Sequence, residues 1–240
     1  MIRKSRELPS STAILALAAL LMPIFGGWSE ALAAPPADLT AQPAPPPAAG
    51  TVPAALAGSL APQGAQVLSG GTPLCDLWLL KSIPTVKSSD SSPDILYGNL
   101  QVGTLVGVMQ FLAPAQDFRH QKVPAGLYTL RYGQIPQDGN HMGVSQYRDF
   151  LLLCPAAADT KLDTALGFDE LVALSRKTLT SGHPAVMSLI PANSGVKAMP
   201  GSFSDDSGDQ AVQFDLAEQG AATPVPMALV IVPGTQSGQQ

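Results

Sequence analysis

The sequence predicts a mainly β protein, an antiparallel β-sandwich with one short helix. Two observations favour this class. Several short apolar runs are separated by turn-forming residues, and only one segment has the periodicity of a helix. Strands and helices do not alternate along the chain, which argues against a parallel α/β sheet. The sandwich is expected to follow a signal peptide and a disordered linker.

The first 33 residues have the three parts of a cleavable export signal. Arg3, Lys4 and Arg6 precede an apolar run over residues 13–25, and a small-x-small motif ends at Ala33. This run is shorter than the roughly 20 apolar residues of a membrane-spanning helix, which makes a retained anchor the lesser alternative. We therefore predict cleavage after Ala33 and a periplasmic or secreted protein.

Residues 34–65 are predicted to be a disordered linker because they hold 8 Pro and 11 Ala among 32 positions. A single β-sandwich-like domain is then expected over residues 66–240. Seven strands are predicted in it, over residues 74–81, 104–112, 126–132, 147–154, 185–190, 211–216 and 227–232.

One helix is predicted over residues 168–179. Asp169 and Glu170 lie in its first turn and two cations lie in its last, an order that complements the helix dipole. A stripe of side chains at helical spacing is expected to face the core: Phe168, Leu171, Val172, Ser175 and Leu179.

The charge of the chain limits its partners. Of its 13 Lys and Arg and 18 Asp and Glu, residues 1–33 hold three cations and two acids, so the mature chain keeps 10 and 16 and has a net charge of −6. Such a chain is a poor match for nucleic acid or for an anionic membrane surface. No later segment is long enough to be an integral membrane helix. The expected partner is a ligand of the envelope or the extracellular space.

Two short motifs resemble those of known proteins. The segment 123–130, VPAGLYTL, resembles the P-x-G-x-Y-x-L turn and strand of transthyretin-like sandwiches. The segment 141–153, HMGVSQYRDFLLL, is similar to an uncharacterised group of exported bacterial β-domain proteins. The likeness runs from about residue 74 to residue 189. It implies an exported β-domain, and no catalytic residue is carried over from it.

The connection between the strands at 126–132 and 147–154 is the first candidate for a functional site. If these strands form a hairpin, their loop spans residues 133–146, far longer than ordinary hairpin loops. Polar and sulfur-containing side chains gather in the loop, at the following strand and on the opposing strand. The candidate ligand-binding residues are Asp138, Asn140, His141, Met142, Tyr147, Arg148, Asp149 and Arg131. The alternative is a structural loop whose polar groups satisfy one another.

A metal site is a second interpretation of the same loop. His141 could act with His120 or His183, and Met142 would bias the site towards copper; zinc is the other candidate. The three histidines are more than 20 residues apart, without a recognisable ligand spacing. No nucleophile elbow of the form G-x-S-x-G occurs. The expected protein is therefore a ligand- or partner-binding or structural domain rather than an enzyme, with metal binding as the alternative and otherwise no cofactor.

The chain has two cysteines, Cys75 and Cys154, each in a predicted strand. In an oxidising compartment two such residues on adjacent strands could form a disulfide. The alternative is a pair of buried thiols that pack as small apolar residues. The order of the strands decides between them, and one sequence does not show that order.

Overall fold

The computed structural model describes Met1 and residues 38–88, 92–139, 141 and 145–235. The predicted signal peptide lies outside these residues, apart from Met1. The described elements are, in chain order, β1 (Leu39–Ala44), α1 (Ala54–Ala57), β2 (Gly64–Ser69), β3 (Thr72–Leu79), β4 (Leu105–Phe111), β5 (Ala115–Gln116), β6 (Lys122–Val123), β7 (Gly126–Gln134), β8 (Asp149–Pro155), α2 (Phe168–Ser175), β9 (Ala185–Ile190), β10 (Gly201–Ser204), β11 (Gln210–Leu216) and β12 (Val225–Val232).

Ten of the strands form one antiparallel sheet, in the order β1-β2-β3-β4-β7-β8-β9-β12-β11-β10. The predicted antiparallel, mainly β class is confirmed, although the strands belong to one curled sheet rather than to two. Its edge strands β1 and β10 approach each other. The Ser202 hydroxyl of β10 donates a hydrogen bond to the Leu39 carbonyl of β1 at 2.9 Å. Among the described residues, no helix has the length and apolar character needed to span a membrane.

The inner face of the curled sheet holds the main hydrophobic core. On β7 the side chains alternate: Tyr128, Leu130 and Tyr132 belong to this core, whereas Thr129 and Arg131 lie outside it. Every strand of the main sheet except β10 contributes buried apolar residues to the core. One face of each of these strands is therefore buried in the core, and the other face is available for other contacts.

The outer face is covered in separate places. The segment that contains α1 packs Leu56 and Leu60 against Trp78 and Val108. The helix α2 and residues before it cover the outer side of β8. A third apolar cluster lies on β9, β11 and β12, where Phe118 packs from the β5–β6 hairpin. The part of the outer face between α2 and this hairpin is not covered, and it forms the floor of the cavity described below.

The prediction of a disordered linker over residues 34–65 needs correction from residue 38 onward. Strand β1 pairs in register with β2 from Leu39↔Ser69 to Ala44↔Gly64, and Leu56 is 1% exposed. The Pro/Ala composition is tolerated because β1 is an edge strand, where a proline breaks no central ladder. The Trp78 indole nitrogen also donates to the Pro45 carbonyl at 2.8 Å. The domain therefore starts before residue 66.

The candidate disulfide is also corrected: Cys75 and Cys154 are both free and buried. Cys75 is on β3 and Cys154 on β8, with β4 and β7 between them in the sheet. Three strand spacings amount to roughly 14 Å, beyond the reach of a disulfide. Cys75 faces the inner core and Cys154 lies in the cluster beneath α2, so the two thiols are also on opposite faces.

The predicted helix is shorter than expected and turned differently. It ends at Ser175 rather than at residue 179. Leu171 and Leu174 are buried against β8, whereas Phe168 is 38% exposed. The stripe expected to face the core is therefore divided between the sheet and solvent.

Candidate functional site

A cavity of about 410 Å³ lies on the outer face of β8 and β9. Its floor is formed by Phe150 and Leu152 of β8 and by Val186 and Ser188 of β9. These pairs face each other across the ladder, Phe150↔Ser188 and Leu152↔Val186. The volume lies within the range of small-molecule sites, and the floor is mostly apolar, as in such sites.

One wall of the cavity is the β5–β6 hairpin, which carries Phe118 and Arg119. The main-chain N–H of Phe118 donates to the Val186 carbonyl at 2.7 Å, on the side of β9 away from β8. The fully buried Asp117 carboxylate accepts hydrogen bonds from the main-chain N–H groups of Arg119 at 3.0 Å, Gln121 at 2.8 Å and Val186 at 3.3 Å. Asp117 therefore shapes the turn and fastens it to β9.

Burial of Asp117 raises the pKa of its carboxyl, and the hydrogen bonds that it accepts only partly oppose this effect. A buried carboxyl is used here to organise main chain, because its oxygens satisfy N–H groups that otherwise have no partner in the turn. The position of Phe118 and Arg119 is therefore set by an adjacent buried side chain.

The opposite wall is α2. Phe168, Val172 and Arg176 follow one another at intervals of four residues and line the cavity. The far end of the helix is fixed because the Ser175 hydroxyl donates to the Leu153 carbonyl at 2.8 Å and accepts from the Ala185 N–H at 3.0 Å. Arg176 therefore lies near the start of β9, and Phe168 lies eight residues, or about 12 Å, towards the other end.

The cavity has a basic end. Arg119, Arg176 and His183 gather there, next to the start of β9. Among the described residues neither arginine forms an ion pair with a carboxylate. Of the described residues that line the cavity, Asp149 is the one acid, and its carboxylate is already bound by three donors. Arg119 and Arg176 therefore give this end two cationic side chains, although the protein as a whole is acidic.

The other end of the cavity contains part of the predicted loop. Ile135, Pro136, His141 and Ser145 line it beside Phe150. Of the predicted ligand-binding residues, His141 and Asp149 border the cavity, together with His183 from the predicted metal set. The predicted residues Asn140 and Met142 lie outside the described residues.

A glycine fixes the position of the Phe150 ring. Gly133 faces Phe150 across the ladder, and a Cβ atom built on it would come within 2.4 Å of the ring. The ring therefore lies directly against the backbone of β7. Any side chain at position 133 would push the ring towards the cavity.

Asp149 is placed by the structure in a supporting role. Its carboxylate accepts hydrogen bonds from the main-chain N–H groups of Leu96 at 2.7 Å and Tyr97 at 3.0 Å, and from the Tyr132 hydroxyl at 2.6 Å. Burial, with the nearby Asp149 charge, raises the pKa of Tyr132 well above its ordinary value, so this hydroxyl remains a donor. Asp149 therefore ties residues 96 and 97 to the sheet and is not available to a ligand.

Arg131 is likewise committed to the fold. Its fully buried guanidinium makes a bidentate pair with Asp159, at 2.7 and 2.8 Å. The other donors reach the carbonyls of Gly103, Thr164 and Lys161, so that all five N–H groups are satisfied. Burial alone would raise the pKa of Asp159, but the hydrogen bonds from Arg131 and Thr129 outweigh it and lower the pKa. Arg131 does not line the cavity.

The remaining predicted ligand residues lie beside the cavity. The Arg148 side chain donates to the Ile135 carbonyl at 3.0 Å, which closes the base of the long loop. The Tyr147 main-chain N–H donates to the Ser145 hydroxyl at 3.3 Å. The Asp138 carboxylate accepts a hydrogen bond from the His141 Nδ1–H group at 2.7 Å, with both side chains about half exposed. These contacts follow the structural alternative foreseen for part of the loop.

The predicted histidine set is only partly assembled. His141 and His183 line the same cavity, whereas His120, in the β5–β6 turn, does not line it. In the part of the chain that the structure describes, no group of three or more His, Cys, Asp or Glu side chains could hold a metal ion. Metal binding therefore stays a prediction.

A larger cavity of about 750 Å³ lies between α1, the start of β4 and residues 160–165. The described part of its lining contains hydroxyl and aliphatic side chains, one acid, Asp163, and no Lys, Arg or His. It offers no opposite charge to an ionic ligand and no aromatic ring to a flat one. The cavity on β8 and β9 is therefore the better defined site chemically.

Sequence reasoning missed Phe118, Arg119 and Arg176 as site residues. Arg176 could have been found, because it continues the spacing of Phe168 and Val172 along one helical stripe. Phe118 and Arg119 carry no local signal, because the docking of their hairpin on β9 decides their role.

The fold and cavity define a β-rich domain with a ligand-sized site on the outer face of a curled antiparallel sheet. No protein-family model, curated protein or solved structure matches the chain. The function is therefore argued from the site itself.

Proposed function

We propose that the protein is an exported binding protein for a small amphipathic anion, with an apolar body and one carboxylate, sulfonate or phosphate group. The observation that carries this proposal is the polarity of the cavity on β8 and β9. Its mostly apolar floor leads to a basic end that Arg119, Arg176 and His183 line. The predicted export signal supports a place in the envelope or outside the cell.

The apolar part of the cavity supplies the affinity for the ligand body. Val172 and Val186, which are only partly buried, present aliphatic surface that a ligand would remove from water. Burial of apolar area is worth about 25 cal/mol per Å² before the costs of binding are subtracted. This contribution to affinity does not depend on the charge of the ligand. It therefore favours ligands with an apolar body of suitable size and does not distinguish an anion from a neutral molecule.

The basic end supplies the preference for an anion. Arginine donors form charge-assisted hydrogen bonds with carboxylate, sulfonate and phosphate groups. Arg119 and Arg176 come from different elements, and both are exposed, so each is expected to contribute modestly on its own. Their convergence at one end orients the ligand, with its charge near the start of β9 and its apolar part near Phe150.

The proposal is tested by isothermal titration of purified mature protein with decanoate and with its neutral counterpart, decanol, and with naphthalene-2-carboxylate and its carboxamide. Each acid should bind at least about tenfold more tightly than its neutral counterpart, a difference of about 1.4 kcal/mol. Added salt should weaken the acids and leave the neutral compounds unchanged.

Arg119→Gln and Arg176→Gln should each weaken acid binding about two- to fivefold, and the double variant should abolish the preference over the neutral compound. Lys177→Gln is the matched control, because Lys177 is an exposed cation next to Arg176 that does not line the cavity. Equal losses in Lys177→Gln and Arg176→Gln, or no binding of any acid, would contradict the proposal.

A zinc or copper ion is the second candidate for the same cavity. The observation in its favour is that His141 and His183 line one space and that the Asp138 carboxylate holds the Nδ1 atom of His141. Such a carboxylate commonly orients a metal-binding imidazole. Metal analysis and melting in the presence of added Zn²⁺ test it, since a bound ion must raise the melting temperature. His183→Ala should remove that rise.

A further inference from the structure

The cavity holds an unusual share of the aromatic side chains of this protein. Three of its seven phenylalanines line it: Phe118, Phe150 and Phe168. They come from three separate elements, the β5–β6 hairpin, β8 and α2. Among the described residues that border the cavity there is no tyrosine or tryptophan, so the rings offer faces and edges without hydrogen-bonding groups.

Two of the rings have fixed positions. Phe150 is 7% exposed and lies against Gly133 of β7, with no side chain between the ring and the backbone. Phe118 belongs to the apolar cluster on β9, β11 and β12, and its own main-chain N–H is bonded to Val186 at 2.7 Å. These contacts hold a ring at the floor and a ring at the wall before any ligand arrives.

The third ring has no evident role in packing. Phe168 is one of four large hydrophobic residues that are exposed among those described. Its helix is already attached to the sheet through Leu171 and Leu174, which are buried in the cluster on β8. Because the Phe168 ring lines the cavity and is 38% exposed, it is available to pack against a ligand.

We propose that the ligand is an aromatic anion, a fused or substituted ring system with one acidic group, held against Phe118, Phe150 and Phe168. This inference rests on the proposed function and specifies the shape of the apolar part. Flat ligands stack on or meet the edges of phenylalanine rings, an interaction that aliphatic chains lack. The span from Phe168 to Arg176, about 12 Å along the helix, sets the distance from the outermost ring to Arg176.

Naphthalene-2-carboxylate and decanoate provide the test, because they carry the same charge and a similar number of carbon atoms. Isothermal titration of the mature protein should show that the naphthalene acid binds at least about fivefold more tightly. Phe168→Leu should weaken it about three- to tenfold and leave decanoate within about twofold of the original protein. Phe203→Leu is the matched control, because Phe203 does not line the cavity.

Equal or tighter binding of decanoate would overturn the inference, as would a Phe168→Leu variant that weakens both acids alike. If both acids bind equally and both depend on Arg119 and Arg176, the proposed function stands and the aromatic preference fails. If neither acid binds, the proposed function fails with it.

Discussion

The buried pair of Arg131 and Asp159 gives the most quantitative prediction. The side chains are 0% and 1% exposed, and the guanidinium makes two of its five hydrogen bonds to Asp159. Asp159→Asn keeps the shape of the side chain but removes the countercharge. The arginine then stays buried without a compensating charge, a situation that costs about 3–5 kcal/mol. We expect a loss of that size in the free energy of unfolding at pH 7.

An exposed ion pair, Lys161 with Glu170, is the matched control. Lys161 and Glu170 lie 2.6 Å apart, but their side chains are 57% and 49% exposed. Water screens such a pair, and its removal costs at most about 1 kcal/mol. Urea unfolding followed by tryptophan fluorescence should therefore separate Asp159→Asn from Glu170→Gln by at least about 2 kcal/mol, with similar dependence on urea concentration.

The pH dependence provides an independent check of the same pair. The pKa of Asp159 is lowered in the folded protein, from an ordinary value of 3.8. Its contribution is therefore complete above that value and is lost as the pH falls through the lower folded pKa. The gap between the original protein and Asp159→Asn should shrink below about pH 4. A gap under about 1 kcal/mol at pH 7, or one that does not change with pH, would refute the reasoning.

Three further predictions concern other buried groups. Titration of denatured, unreduced protein should find two free thiols. In the folded protein at pH 8 both thiols should react slowly, because burial raises the pKa of Cys154 to about 12 and that of Cys75 further. One disulfide per chain would contradict this. Burial also raises the pKa of Asp117, so its contribution to stability grows as the pH falls through that raised value. The melting temperature of the original protein should therefore rise relative to Asp117→Asn between pH 7 and pH 4, and an opposite trend would exclude this assignment. Gly133→Ala should displace the Phe150 ring and weaken naphthalene-2-carboxylate at least about threefold; unchanged binding would show that the ring does not border the ligand.

Local patterns predicted much of the sheet because side-chain alternation and strand length are encoded residue by residue. The strand predicted at 126–132 lies within β7, and the one predicted at 147–154 overlaps β8. The linker prediction was wrong over β1 for the opposite reason. Its Pro/Ala composition has little intrinsic preference for a strand, and pairing with β2 overrides that composition.

The candidate site was predicted only in part, because local sequence shows some of its features and the rest depend on tertiary contacts. The long loop was a visible anomaly, and His141 does border the cavity. The charge of Arg131 suggested a ligand contact, but its five hydrogen bonds come from segments distant in sequence. Whether an arginine binds a ligand or supports the fold depends on what covers it, and one sequence does not contain that information.

The edge strand β1 has a consequence for self-association. An uncovered strand edge is a template on which another chain can add a strand. Here β1 covers the outer edge of β2 and meets β10 on its other side, while Pro43 within it has no N–H to offer. A chain from which the residues up to Ala44 have been removed would expose the edge of β2 along its whole length. Such a chain is expected to form dimers or larger aggregates through this edge. In the intact chain β1 blocks strand addition there.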